Sequence, residues 1–311
     1  MTCDVIGWGA LNMDILSKVN KISKIDDESY IKNTTKTCGG SAANTIIGLS
    51  RLEQSTGFIG KIGTDENGQI LLNNLKQENV NTDHILKQEG TSGQVTGYID
   101  EEGNRALYVD SQINDNITPE EIKIDYINNS KILHLSSFVG RYTDQSIETQ
   151  IETLSQLNKK VKISIDPGMI YINKGRSFMD QILEYTDILF INKQEIQLLI
   201  ESNNLDLAIQ DIMNSVDNLV LKMGSEGSLI KDQNHEYKLK PYKTEVKDTT
   251  GAGDSYNAGF LYGMLNNYTL RESGILGNFI ASQSIQKTGA TEGLPKLNEI
   301  KPKQIVNEYI N

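Results

Sequence analysis

The chain has 311 residues, room for one large α/β domain or about two smaller ones. A net charge of −11 excludes a basic groove for nucleic acid, which needs clustered Lys and Arg, but not a small anionic ligand held by backbone amides and one cation. No apolar run is long enough to span a membrane and no basic-then-apolar leader opens the chain, so a soluble cytoplasmic protein is expected. Cys3 and Cys38 are too few for a disulfide framework and read as buried thiols of a reducing compartment. Together with His84, His134 and His235 they show no metal-ligand spacing.

Cys3–Gly9 reads as a first strand running into Gly7-Trp8-Gly9-Ala10-Leu11-Asn12. This opens like a dinucleotide fingerprint. However, Asn12 stands where the third glycine belongs, and strand-like Met13–Val19 follows instead of a helix, so the nicotinamide reading fails on context. Ile15–Thr37 is short, partly alternating and interrupted by Asp26-Asp27. Cys38-Gly39-Gly40-Ser41-Ala42-Ala43-Asn44 is a glycine turn into a helix. Thr56–Gly63 is a strand, and Asp65 leads a helix through about Gln77. Gln94–Ile99 and Arg105–Val109 flank the hairpin turn Glu101-Glu102-Gly103-Asn104. The two strand-rich excursions, approximately residues 13–37 and 93–110, suggest a small sheet covering a cleft within a single domain spanning 1–311.

Further on, Thr118-Pro119-Glu120-Glu121 is a helix start with proline in the first turn. Lys131–Ser136, Val161–Asp166 and Asp187–Asn192 are strands, with a helix over roughly Asp144–Leu157. Asn218–Met223 and Ser228–Lys231 are strands around Gly224-Ser225-Glu226-Gly227, and Tyr242–Val246 reads as another short strand. Helices from about Gly251, from Leu270 to Gln286 and from Pro302 to Tyr309 end the chain. Strands alternating with helices predict a three-layer α/β sandwich, a mostly parallel central sheet flanked by helices, plus the small β lid. Ligands collect at the carboxyl ends of such strands, where Asn12, Asp166, Asn192, Gly224 and Asp254 fall.

Asp248-Thr249-Thr250-Gly251-Ala252-Gly253-Asp254-Ser255-Tyr256-Asn257-Ala258-Gly259-Phe260 carries the chemistry. A helix N-terminus has unpaired N–H groups and a dipole that favours negative charge. Gly251 and Gly253 let a ligand approach those amides, and Asp254 stands beside them as a base. Phosphoryl transfer needs both parts: donors for the charge on the moving group, and a base for the attacking hydroxyl.

This stretch resembles the C-terminal signature of the ribokinase-like (PfkB) sugar and nucleoside kinases, in a form similar to archaeal members. Cys38–Leu49 resembles the family's N-terminal signature, Asn192-Lys193-Gln194-Glu195 its Asn-x-x-Glu motif, and Gly224–Gly227 its Gly-x-x-Gly turn. The resemblance covers almost the whole chain and implies the same fold with a β lid. It implies transfer of the γ-phosphoryl of ATP to a primary hydroxyl of a sugar or ribonucleoside. Asp254 is then the base, with Gly251, Ala252 and Gly253 as the anion hole. Asn12, Asp14, Gly39, Gly40 and Asn44 hold the acceptor, and Lys222, Gly224, Gly227 and Asn192 border the nucleotide. Asn192 and Glu195 position the water shell of Mg²⁺. Asp248 and Thr250 match a monovalent-cation site, K⁺ being the ion in view. A homodimer through the lid is the partner expectation. Arg105, Arg141 and Arg176 keep open an acceptor that already carries a phosphate, such as fructose 6-phosphate or ribose 1-phosphate. A non-catalytic binding protein on the same fold is the reading from another class; an intact Asp254 and intact glycines argue against it.

Overall fold

The computed structural model describes residues 2–310. Its strands are β1 (Val5–Trp8), β2 (Asn12–Val19), β3 (Ile31–Gly39), β4 (Thr56–Gly63), β5 (Ile85–Gln88), β6 (Gly93–Ile99), β7 (Arg105–Asp110), β8 (Ile132–Ser136), β9 (Lys162–Asp166), β10 (Ile188–Asn192), β11 (Asn218–Lys222), β12 (Ser228–Lys231) and β13 (Glu236–Leu239). Nine of them form one sheet in the order β13-β12-β11-β10-β9-β8-β1-β4-β5. It is parallel from β5 to β11 and ends in two antiparallel strands. Central strands are covered on both faces, which is why they are runs of apolar residues rather than alternating ones. All eight residues of β4 are buried.

Two helical layers cover that sheet. On one side, Ile147 and Leu154, Met179 and Ile182, Ile196, and Ile209 and Ile212 pack from successive helices onto Ile6, Leu133, Ile165, Leu189 and Leu219. On the other side, helices Ser41–Arg51, Ala252–Leu265 and Leu270–Ser284 meet Val5, Phe58, Phe190 and Val220. Helix Ala252–Leu265 is buried from Ser255 to Gly263, so it lies inside this layer and its N-terminus is held rigidly. The fold is therefore α/β, with a mostly parallel sheet between helices. No helix among the described residues is long and apolar enough to cross a membrane.

The second sheet has four strands in the order β3-β2-β6-β7. The turn Asp100–Asn104 joins β6 to β7, with Asp100 accepting from the N–H groups of Glu102 and Asn104 at 3.0 and 2.8 Å. β2 starts this sheet directly after β1 ends, so Asn12 and Asp14 sit where the two sheets meet. Buried Lys61 ties the following segment to β4. Its ammonium donates to the Asn116 carbonyl at 2.6 Å and to Glu121 at 2.7 Å.

Two local expectations change. Tyr242–Val246 forms no strand. Its Tyr242 ring packs against Phe279 and Tyr309, and the N–H groups of Lys247 and Asp248 donate to the Ile285 carbonyl, so the segment is laced to the last helices instead of to a sheet edge. The helix start at Thr118 is a single 3-10 turn, Pro119–Glu121, with a short helix following at Ile124–Asn128. Cys3 is buried, whereas Cys38 is only half-buried, and both are free thiols.

Candidate active site

Asp254 lies in the first turn of helix Ala252–Leu265, at the carboxyl end of the large sheet. Gly251 caps the helix with φ of 71°, a left-handed conformation that glycine adopts without penalty. A Cβ there would also stand 2.6 Å from the Ala290 carbonyl oxygen. The amides of Gly251, Gly253 and Asp254 have no protein partner among the described residues, so three donors converge at the turn. Ala252 differs from the sequence expectation. Its N–H donates to the Thr249 carbonyl at 3.1 Å, which closes the turn and withdraws that amide from the anion hole.

Both oxygens of Asp254 are held by helix Ser41–Arg51. The Ser41 hydroxyl donates to Oδ1 at 2.6 Å and Asn44 Nδ2 donates to Oδ2 at 2.8 Å. Burial, and then the neighbouring Asp166 charge, push the Asp254 carboxyl up to about 6; the Ser41 and Asn44 bonds and Lys222 work against this. A carboxyl with that proton affinity is suited to take a proton near neutral pH.

Asp14 faces the same cleft from β2. Its carboxylate lies so close to Gly39 that a Cβ on Gly39 would meet Oδ2 at 2.2 Å. Oδ1 is buried without a hydrogen-bond partner. Burial and the Asp254 charge push this carboxyl up to about 7. A buried carboxylate oxygen without a partner can accept a hydrogen bond from a hydroxyl. Asn12 is buried, and its Oδ1 accepts from Asn114 Nδ2 at 2.9 Å, while Asn114 also bonds both backbone groups of Leu11. Gly40 begins helix Ser41–Arg51 with φ of 124°.

The other side of the site is built from β9, β10 and β11. Lys222, at the end of β11, forms a part-buried ion pair with Asp166, which also accepts from Asn257 Nδ2 at 2.7 Å. Burial opposes both charges, yet their attraction outweighs it, holding Asp166 below and Lys222 above their ordinary ranges. Asn192 and Glu195 form a reciprocal helix cap. Glu195 N–H donates to Asn192 Oδ1 and Asn192 N–H to Glu195 Oε2, both at 2.9 Å. Glu195 is buried rather than solvated. Burial and Asp166 raise its carboxyl. Gly224 and Gly227, with φ of 57° and 91°, make the turn between β11 and β12.

Asp248 bridges two loops: Oδ1 accepts from Thr250 N–H and Oδ2 from Gly289 N–H, each at 2.9 Å. Of the arginines, Arg141 pairs with Asp110, and Arg176 with Asp180 and Asp211. Arg105 is exposed at the start of β7, and its charge helps lower Asp248.

The structure thus brings Asp14, Asn44, Lys222, Asp254 and the Gly251–Gly253 turn into one cluster. Sequence reasoning assigned no role to Ser41, Asn114 or Asn257. Asn257 is one helical turn beyond Asp254, a spacing that flags it in hindsight; Ser41 and Asn114 leave no such local signal.

A held carboxylate beside unpartnered amides at a helix start, at the carboxyl edge of a parallel sheet that carries a small second sheet, is the arrangement that phosphoryl transfer to an alcohol calls for. The chain belongs to the pfkB family of carbohydrate kinases, whose profile matches residues 4–297. It is 42% identical to an uncharacterized sugar kinase of Archaeoglobus fulgidus over 250 residues, covering 80% of this chain and 99% of that one. It is 27% identical to a ribokinase of Lactococcus lactis, covering 95% of each chain. The solved nucleoside kinase of Methanocaldococcus jannaschii superposes with a TM-score of 0.83 over 99% of both chains at 24% identity. The protein is a sugar or nucleoside kinase of this ribokinase-like family.

Proposed function

We propose that the protein transfers the γ-phosphoryl group of ATP to a primary hydroxyl of an uncharged polyol, a sugar or a ribonucleoside. The observation that carries this reading is the pairing of Asp254 with the free amides of Gly251, Gly253 and Asp254 at one helix start. Asp254 accepts the hydroxyl proton. The acceptor oxygen bonds to the γ-phosphorus as the bond from that phosphorus to the β,γ-bridging oxygen breaks, giving ADP and the phosphate ester. Developing charge falls on the three amides and on Lys222.

Asp14 Oδ1 and the Asn44 amide suit the hydroxyls of a polyol, with Gly39 leaving room for the close approach. The cleft carries the carboxylates of Asp14, Asp166 and Asp254, while Arg141 and Arg176 are occupied elsewhere. That balance disfavours a second phosphate on the acceptor. Of the three arginines, Arg105 alone is left for the sugar-phosphate alternative. The held, proton-seeking Asp254 disfavours a purely binding role.

Asn192 and Glu195 fit a Mg²⁺ reached through water. The cap uses one carboxylate oxygen of Glu195 and the single side-chain oxygen of Asn192, which leaves Glu195 Oε1 to meet a metal-bound water, and among the described residues no three acidic, His or Cys side chains form a direct metal cage. Mg²⁺ keeps several waters and takes its remaining ligands largely from phosphates, where it neutralises charge. Asp248 and Thr250 are offered for K⁺, with the carboxylate already organising the two loops that would surround it. Gly224 and Gly227 border the nucleotide in this reading.

The small sheet is assigned two roles, lid and dimer contact. Tyr30, Ile31, Leu107 and Tyr108 are exposed on it, an unusual apolar load for a four-stranded sheet facing water. A second copy of the chain is the proposed cover. Free Cys3 and Cys38 suit a reducing cytoplasm.

ADP release measured against ribose, fructose, adenosine, cytidine, inosine, fructose 6-phosphate and ribose 1-phosphate tests the reading. Turnover with an uncharged acceptor is expected, and turnover confined to the two sugar phosphates would overturn the acceptor class.

A further inference from the structure

The geometry points to Asp166 as a positioning residue for phosphoryl transfer: its part-buried ion pair with Lys222 fixes the ammonium against the first turn of helix Ala252–Leu265. The inference rests on the kinase reading and assigns Asp166 a role within it.

Lys222 Nζ is placed closely. A Cβ on Gly253 would lie 3.2 Å from it, so the cation stands beside Gly253 in the first turn of the helix. A lysine side chain has four rotatable bonds and strong hydration, and left alone it would sample many positions. Here it is locked from below. Asp166 Oδ2 takes the ammonium and also the Nδ2 of Asn257, which projects from the same helix as Asp254. The carboxylate therefore ties β9, β11 and that helix together at one atom. His134 lies beneath, fully buried, with Nδ1 on the Ser164 hydroxyl at 2.9 Å; burial pushes it down to about 4, so it brings no competing charge.

The arrangement solves an electrostatic problem. A free buried ammonium would lose affinity for its proton, whereas the Asp166 partner keeps it charged. Glu195 also faces the pair and adds to that effect. Asp166 has no hydrogen bond to Asp254, yet its charge is felt there as an upward push on the base. The groups facing Asp254 are Ser41 and Asn44 from helix Ser41–Arg51, Asp14 from β2, Asp166 from β9 and Lys222 from β11. During transfer the amides and Lys222 receive the charge of the moving group. Asp166 touches no reacting atom and acts through Lys222.

A double-mutant cycle tests this, using the uncharged acceptor that the wild-type protein turns over. Lys222→Met is expected to lower kcat by about 10²-fold, the scale of one anion-hole donor. Asp166→Asn is expected to lower kcat by about 10-fold or more with little change in the KM for ATP. In the Lys222→Met background, Asp166→Asn should cost almost nothing further, because the residue it serves is gone. Asp166→Asn should also move the acid limb of the pH profile to lower pH, since it removes a negative charge near Asp254. Equal losses from Asp166→Asn in both backgrounds, or an unmoved acid limb, overturn the proposal. Should Asp166→Asn not fold, Asn257→Ala in the same cycle carries the decision, as it releases the other restraint on that carboxylate: loss confined to the Lys222 background supports the inference and additive loss overturns it. A wild-type protein with no turnover on any acceptor overturns the proposed function itself, and this inference with it.

Discussion

Asn44 donates from Nδ2 to Oδ2 of Asp254 at 2.8 Å, across a sequence separation of 210 residues. One hydrogen bond thus joins the two glycine turns, so the acceptor-side helix also orients the base. Each oxygen of that carboxylate accepts one bond from the helix and keeps a lone pair for a hydroxyl.

Removing the base is the first test. Asp254→Asn keeps the shape and one acceptor oxygen but cannot take the proton. A loss of about 10²–10⁴-fold in kcat is expected, with ATP binding by calorimetry nearly intact. Near-normal turnover would remove Asp254 from this role.

The pH profile follows from the two raised carboxyls. Asp254 at about 6 must be ionised to take the hydroxyl proton, and Asp14 at about 7 to accept a hydrogen bond from the acceptor. kcat/KM is therefore expected to fall as pH drops through 7 and then 6, and to be flat above about 8. A profile flat down to pH 5 would contradict the assignment of both groups.

Ser41→Ala removes a donor from Asp254 Oδ1. That bond favours the ionised form, so its loss raises the carboxyl further. The acid limb of the profile should move to higher pH, opposite in direction to the Asp166→Asn shift. Rate measurements at pH 5.5–8 on both variants check the pair of signs.

Asp14→Asn separates function from stability. The folded carboxyl holds its proton to about 7, against an ordinary 3.8, so between those values the folded state binds more protons than the unfolded one. Stability contributed by this site is thus present at low pH and lost as pH rises through 7. The neutral amide lifts that cost above pH 7, by ~1–3 kcal/mol. A higher melting temperature at pH 8 together with a kcat/KM reduced at least tenfold is the expected result; a lower melting temperature would show that the orphaned carboxylate is not under strain.

The dimer surface is tested by Tyr108→Lys. Tyr108 is 65% exposed on β7, and a charge there should shift the sedimentation of any dimer toward monomer. A wild-type protein that sediments as a monomer at all concentrations removes the second copy from the reading.

How much of this was legible in the sequence depends on range. Local devices were readable: glycines before Ser41 and Ala252, the three-residue step from Asn192 to Glu195, and the turn before Arg105 each act within one turn of chain. The helix-and-strand alternation gave the parallel sheet because each buried strand needs an apolar run. Tyr242–Val246 misled because its alternation serves two helices, Tyr242 meeting Phe279 and Tyr309. β13 escaped notice since it is an edge strand with mostly exposed, charged side chains, Glu236 and Lys238. Ser41, Asn114 and Asn257 stayed hidden for another reason. Their partners are 213, 102 and 91 residues away, and only the folded chain sets those distances.

The cleft divides by chain position. In the proposed reading the side that meets the acceptor comes from β2 and helix Ser41–Arg51, within the first third, while the phosphoryl side comes from β9 onward. On that reading acceptor preference and phosphoryl machinery lie in largely separate blocks of sequence. A chimera that grafts the opening hundred residues of a relative onto this chain would transplant substrate choice, provided the hydroxyl and amide that reach Asp254 travel with the graft.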